Sequence, residues 1–228
     1  MSKLTWLGHA CWMIESAGHT VLLDPFLTGS PTAAATPEKV SPNFILISHG
    51  HADHVGDTIS IARRTGATVI AIVEVGQWLA LQGVPQQQIH TMNLGGGYDF
   101  PFGCVQMTLA THTSTMPDGS CGGNPAGFIV SLPEGNVYFA CDTGLFGDMQ
   151  IIGRRGIELA VLPIGDNFTM GPDDALEAVR LITPRRVAPM HYGTWPLIAQ
   201  DAEAWATRVK EATETTPIVL EPGGVVEL

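Results

Sequence analysis

Basic residues are scarce in this chain. Eleven Lys and Arg stand against 22 Asp and Glu, which gives the 228 residues a formal charge of −11. No Lys/Arg stripe is available to neutralise a run of phosphates, so nucleic acid is not an expected partner. A small phosphorylated substrate is not excluded, because a bound cation supplies positive charge locally. Charged residues of both signs make up only 14% and hydrophobic residues 45%. Average soluble chains carry about 25% charged residues, so this composition excludes disorder and favours a large buried interior. Cysteine is also sparse. Cys11, Cys104, Cys121 and Cys141 form no Cys-x-x-Cys pair, which excludes a zinc ribbon and a thioredoxin-like motif. Mean hydropathy is +0.18, yet no apolar run approaches the ~18 residues that span a bilayer. No charged segment followed by a long apolar one opens the chain. The expected location is therefore cytoplasmic, with reduced thiols and no membrane partner.

The length suits one hydrophobic core, so a single domain over residues 1–228 is expected. Lys3 to Leu7, Cys11 to Glu15 and Thr20 to Asp24 are short apolar runs separated by Gly8 and Ala17-Gly18, which predicts a β-meander. Residues 28 to 42, rich in Thr, Ala, Ser and Pro, predict a surface loop. Phe44 to Ser48 reads as a strand buried on both faces, and Thr58 to Arg64 as a helix stopped by Gly66. Further strands are expected at Thr68 to Ile72, Ile89 to Met92, Val105 to Ala110, Leu159 to Leu162, Arg186 to Met190 and Ile218 to Leu220. Gly127 to Leu132 and Asn136 to Cys141 flank Pro133-Glu134-Gly135 as a hairpin. Helices are expected at Val75 to Gln82, Asp173 to Ile182 and Asp201 to Ala212. Gly95-Gly96-Gly97 opens no convincing helix and reads as a flexible loop, without a nucleotide fingerprint. Meanders mixed with βα units predict an α/β fold, sheets covered by helices.

Histidine carries the functional signal. Three of the eight fall in Ser48-His49-Gly50-His51-Ala52-Asp53-His54, directly after a predicted buried strand. A loop at a strand end aims several side chains at one point. His49 and His51 are suited to one cation through neutral imidazoles, while Asp53 and His54, in a tight turn, can serve a neighbouring one. Gly50 and Ala52 permit the compact backbone. His112, Asp142 and His191 each follow a predicted strand. Singly each suits a capping role; together they make a constellation. Two cations sharing a water bring its pKa to about 7 and hold developing negative charge.

The order His49-x-His51-x-Asp53-His54, then His112, Asp142 and His191, resembles the metallo-β-lactamase superfamily. Gly8-His9-Ala10, Leu23 to Gly29, Asp142-Thr143-Gly144-Leu145-Phe146, Leu162 to Pro172 and Pro189-Met190-His191-Tyr192 resemble its small prokaryotic branch of metal-dependent hydrolases. That branch is related to the ascorbate-phosphate lactonase and N-acylphosphatidylethanolamine phospholipase D types. The resemblance implies a four-layer αββα sandwich with metals at one edge of the sheets. It implies His49, His51 and His112 on one metal, Asp53, His54 and His191 on a second, and Asp142 as the bridge. The implied cofactors are two divalent transition-metal ions, zinc first, although N and O donors also suit Mn, Fe, Ni or Co. Cys141 departs from the branch, where a small residue more often precedes the bridging Asp. In an extended segment it points away from the metals, as a buried small hydrophobe.

Asp53, orienting the nucleophile, and His9 are the candidate catalytic side chains. His9 reads equally as a substrate contact or as a donor packed under the meander. Asp24 reads as a carboxylate orienting a ligand histidine or as a turn residue, and Asp166-Asn167 as cleft mouth or turn. His19 and His90 read as surface residues. The expected function is metal-dependent hydrolysis of a small phosphodiester or ester. A lactonase or lactam hydrolase is the alternative, and a metal-binding regulatory protein without turnover is a different class. High apolar content allows a homo-oligomer.

Overall fold

The computed structural model describes all 228 residues. The chain opens with β1 (Lys3–Gly8), β2 (Cys11–Ser16) and β3 (His19–Leu23), the expected meander, and continues through β4 (Phe44–Leu46), α1 (Ala52–Val55) and α2 (Thr58–Thr65). Next come β5 (Thr68–Ile72), α3 (Val73–Leu81), β6 (Ile89–Met92), β7 (Gly97–Phe100) and β8 (Gly103–Leu109). The second half runs β9 (Ala126–Leu132), β10 (Gly135–Phe139), α4 (Met149–Gly153), β11 (Ile157–Pro163) and α5 (Pro172–Ile182), then β12 (Arg186–Met190), α6 (Ala202–Ala212), β13 (Thr216–Pro217) and β14 (Val225–Glu227).

The strands form two seven-stranded mixed sheets, ordered β14-β1-β2-β3-β4-β5-β6 and β13-β12-β11-β10-β9-β8-β7. Strand periodicity explains the layering. Val137 and Phe139 of β10 and Leu159 and Val161 of β11 join the 43-residue core shared by the two sheets. Their neighbours Tyr138, Ala160 and Leu162 face a second core of 19 residues under α4, α5 and α6. Alternate side chains leave opposite faces of a strand, and both faces here are covered. Helices α2 and α3 cover the first sheet. The architecture is the αββα sandwich. Helix α6 starts where Asp201 accepts from Ala204 N at 2.9 Å, a side-chain cap on an orphan N–H. No helix is long and apolar enough to cross a membrane.

Four local expectations differ. Ile218 to Leu220 is not a strand; pairing falls to Thr216–Pro217 beside β12 and Val225–Glu227 beside β1. The glycine stretch leads straight into β7, an edge strand held by antiparallel pairing with β8. Strand β10 ends at Phe139, so Cys141 is not extended: its φ is 54°, in the left-handed region. Asp53 and His54 lie on the helical turn α1. Loop 28–42 contains only a short 3-10 turn at Pro37–Lys39.

The parallel strands deliver the site. Their C-terminal ends point to one edge of the sandwich, where the chain must leave each strand abruptly. His9, Asp24, Cys141 and His191 follow β1, β3, β10 and β12 and all have φ between 42° and 54°. Left-handed non-glycine residues carry strain that the surrounding structure must hold. At this edge the strain turns functional side chains inward.

Candidate metal centre

Four strand ends, those of β4, β8, β10 and β12, and one helical turn bring the predicted metal residues together. One donor atom from each of His49, His51 and His112 lies within 4.8 Å of the others. His9, Asp53, His54 and His191 form a second such group, and His49, His54 and Asp142 a third. Asp142 Oδ2 stands between the groups, 3.0 Å from His191 Nε2, 3.3 Å from His54 Nε2 and 3.6 Å from His112 Nε2. His49 Nε2 and His51 Nδ1 are 2.9 Å apart.

A layer of buried polar groups aims these side chains. Asp24, fully buried, accepts from Ser48 N at 2.8 Å, from Ser48 Oγ at 2.6 Å and from His54 Nδ1 at 2.8 Å. The carboxylate fixes the His54 tautomer and leaves Nε2 facing the cavity. Ser48 Oγ also lies 2.9 Å from His49 Nδ1, so one carboxylate–hydroxyl unit orients two histidines. On the far side, Gly50 N donates to Ser114 Oγ at 3.0 Å. A Cβ at Gly50 would meet Met116 Sδ at 2.5 Å, so a larger residue there would push the Met116 side chain aside. The loop from Ser114 to Gly122 is tied by a Thr115–Cys121 bridge and a Gly122 N to Ser114 O bond of 2.8 Å.

His9 is fully buried, with Nε2 3.2 Å from Asp53 Oδ2 and Nδ1 2.7 Å from Thr194 Oγ1. Burial, only partly offset by the bond to Asp53, lowers its pKa to about 4, so the ring is neutral at pH 7. A carboxylate only accepts, so Nε2 carries the proton and donates to Asp53, while Nδ1 accepts from the Thr194 hydroxyl. His9 thus donates to Asp53 behind the cavity lining, which it does not join.

The electrostatics follow from burial and crowding. Burial, reinforced by His54, holds His49 well below the usual imidazole range, and burial also lowers His51 and His112. Burial alone would raise Asp142, but His191 and His54 outweigh it and hold the carboxyl well below its ordinary value. Burial opposes charge on His54, yet Asp142 and Asp24 push its pKa up. For Asp53 too, burial alone would raise the carboxyl, but the hydrogen bond from His9 together with the nearby His54 outweighs it and lowers the pKa.

Four buried atoms test whether a cation fits: His54 Nε2, Asp142 Oδ1, and both ring nitrogens of His191 have no hydrogen-bond partner. The close His54 and His191 approaches to Asp142 lack hydrogen-bond geometry. Buried polar atoms are seldom left unsatisfied, and a carboxylate among imidazole nitrogens is a donor set for a divalent transition metal. The residues fit the implied group. The centre opens into a cavity of about 320 Å³ lined by His51, Asp53, His112, Asp142 and His191, with Thr113, Phe168 and Trp195 at its mouth. Asp166 and Asn167 lie on the Phe168 loop rather than in the lining.

Sequence reasoning missed Thr194, Trp195 and the linking role of Ser48, and it met Phe168 only inside a motif. Each gains its place through contacts distant in sequence. Cys141 is fully buried, its thiol donating weakly to Phe139 O at 3.7 Å.

Residues 19–192 match the family described as the β-lactamase superfamily domain. A metal-dependent hydrolase of Desulforamulus reducens is 48% identical over 99% of this chain and all of its own length. One from Symbiobacterium thermophilum is 46% identical over 97% of both chains. Among solved structures, the metallo hydrolase Igni18 of Ignicoccus hospitalis superposes with a TM-score of 0.90 at 36% identity, covering 99% of this chain and 98% of its own. On the match over residues 19–192 and the near-full-length relatives at 46–48% identity, the chain belongs to the metallo-β-lactamase superfamily, among its metal-dependent hydrolases.

Proposed function

We propose that the protein hydrolyses a small phosphodiester or ester at a pair of divalent cations. His49, His51 and His112 would hold one, Asp53, His54 and His191 the other, and Asp142 would reach both. The observation that carries this reading is the convergence of unpartnered buried donors on His54, Asp142 and His191 at the floor of an open cavity. Bound there, the cations supply acidified water at neutral pH and positive charge for the developing oxyanion. Zinc is the first candidate, and Mn, Fe, Ni or Co suit the same donors.

The chain's own residues then have defined tasks. Asp24 holds His54 and, through Ser48, His49. His9, braced by Thr194, holds the Asp53 carboxylate at the cavity wall, where Asp53 is placed to orient the attacking water. Four free thiols support a reducing, cytoplasmic location.

Elemental analysis of protein prepared without chelator, followed by reconstitution with several metals, tests the cation count. About two equivalents per chain are expected; less than about half an equivalent would sink the dinuclear reading. Assays of reconstituted protein on phosphodiesters, carboxylic esters and lactones test the reaction, and absence of metal-dependent turnover on all of them would end it.

A further inference from the structure

The cavity mouth has a chemistry of its own. Phe168 and Trp195 line it while remaining 53% and 37% exposed. Large apolar side chains left open at a concave site mark ligand contact. Both are held in place. Asp166 and Asn167, with φ of 61° and 50°, turn the chain sharply before Phe168. Asp166 N donates to Met170 O at 3.0 Å, and Met170 N donates to Thr143 O at 2.9 Å, beside Asp142. The Phe168 loop is thus anchored to the floor of the site. Trp195 follows Thr194 and stands edge-on to His9 with ring centroids 5.0 Å apart, and 6.0 Å from Phe26.

No Lys or Arg lines this cavity. Arg185 and Arg186 are engaged by Glu158, Arg208 by Asp173 and Arg64 by backbone carbonyls. A second anionic group on a substrate would find no partner at the mouth and would face Asp53 and Asp142 in a protein of charge −11. An unpaired charge in such a site is rejected. The cavity of about 320 Å³ sits at the small end of ligand sites.

Resting on the hydrolytic reading above, we infer that the substrate is a small uncharged acyl compound, a carboxylic ester or lactone, whose one flat or branched apolar group seats between Phe168 and Trp195. In its hydrolysis the water oxygen bonds to the acyl carbon and the acyl C–O bond breaks. The departing alkoxide takes up a proton, leaving acid and alcohol with no co-reactant but water. Phe168 and Trp195 determine specificity and take no part in bond making.

Two measurements decide it. On metal-free protein, ligand-observed NMR compares 4-phenyl-2-butanone with levulinate, two ketones differing in a phenyl against a carboxylate. The aryl ketone binds more tightly, and Phe168→Ala or Trp195→Ala weakens it about tenfold, the worth of one aromatic contact. On reconstituted protein, ethyl phenylacetate is compared with monoethyl succinate and p-nitrophenyl phosphate. The uncharged aromatic ester leads by about 100-fold in kcat/KM, each alanine variant raises its KM, and Phe168→Lys shifts preference toward the succinate ester. Melting temperatures and metal content of the variants control for folding. Metal-dependent hydrolysis of a phosphodiester with none of any ester would overturn this inference and leave the hydrolase, whereas no turnover on either class would remove the hydrolytic reading and this inference with it. Hydrolysis that favours the anionic substrates, levulinate binding as well as the ketone, or unchanged KM in both alanine variants overturns the inference and leaves the hydrolase.

Discussion

His54 donates Nδ1–H to Asp24 Oδ2 across 2.8 Å, with both side chains fully buried. The Asp24 carboxylate also takes both Ser48 donors, so it carries three hydrogen bonds and reaches two candidate metal histidines, His54 directly and His49 through Ser48. Replacing Asp24 by Asn keeps the shape and loses the charge, and the amide presents N–H where an acceptor is needed. We expect metal affinity to fall about 10- to 100-fold and the metal-free fold to lose about 1–3 kcal/mol. Metal titration and melting of the variant measure both, and wild-type affinity would remove Asp24 from its orienting role.

In the metal-free protein, Asp142 and His54 stabilise each other as a buried pair. The Asp142 pKa is depressed on folding, so its contribution is present above its unfolded value near 3.8 and is lost as pH falls through the folded value. The His54 pKa is raised, so its contribution is present below 6.5 and is lost as pH rises through the folded value. Both hold between 3.8 and 6.5. Asp142→Asn should therefore cost the metal-free fold most in that window, about 3 kcal/mol, with the gap to wild type narrowing above it. Denaturation of both proteins across the pH range, with chelator, checks the shape; a gap that widens with rising pH contradicts it. With metal restored, the same variant should lose turnover.

Thr194→Val removes the hydroxyl that donates to His9 Nδ1, with little change of volume. His9 can then turn or exchange its tautomer, and Asp53 loses its fixed donor. Turnover should fall about tenfold through kcat, with KM and metal content held. Steady-state kinetics beside elemental analysis separates this from metal loss, and an unchanged kcat would show that Asp53 needs no bracing.

Cys141→Ala should keep wild-type turnover while losing about 1 kcal/mol of stability to the small void. The thiol is wholly buried and its contact is with Phe139 O. A variant that still binds metal but turns over about 100-fold more slowly would mean that Cys141 does more than pack.

The histidine motif was legible because ligand chemistry is local: His49, His51, Asp53 and His54 lie within six residues. His112, Asp142 and His191 were legible as single residues after strand-like runs. Most strands and helices were legible from short apolar runs and their breakers, while the pairing of two sheets face to face was given by the family resemblance and not by the residues alone. The closing strands were not, because β13 has two residues and β14 three, and both exist through pairing with strands far away in sequence. Strand β7 was hidden for the same reason.

What the sequence determined by itself was the candidate donors, an α/β fold of sheets covered by helices and the acidic balance, since residue type and short-range periodicity carry them; the four-layer sandwich came only from the family resemblance. What only the tertiary structure decided was aim. Left-handed turns at His9, Asp24, Cys141 and His191 appear in no composition, because packing on both sides enforces a φ that the residues do not prefer. The same holds for the Asp24–Ser48–His54 unit, the Thr194–His9–Asp53 relay and the aromatic mouth at Phe168 and Trp195. The first joins loops after neighbouring strands of one sheet, the second crosses between the sheets, and the third joins loops after neighbouring strands of the other, so each depends on strand pairing or sheet packing that no local sequence fixes.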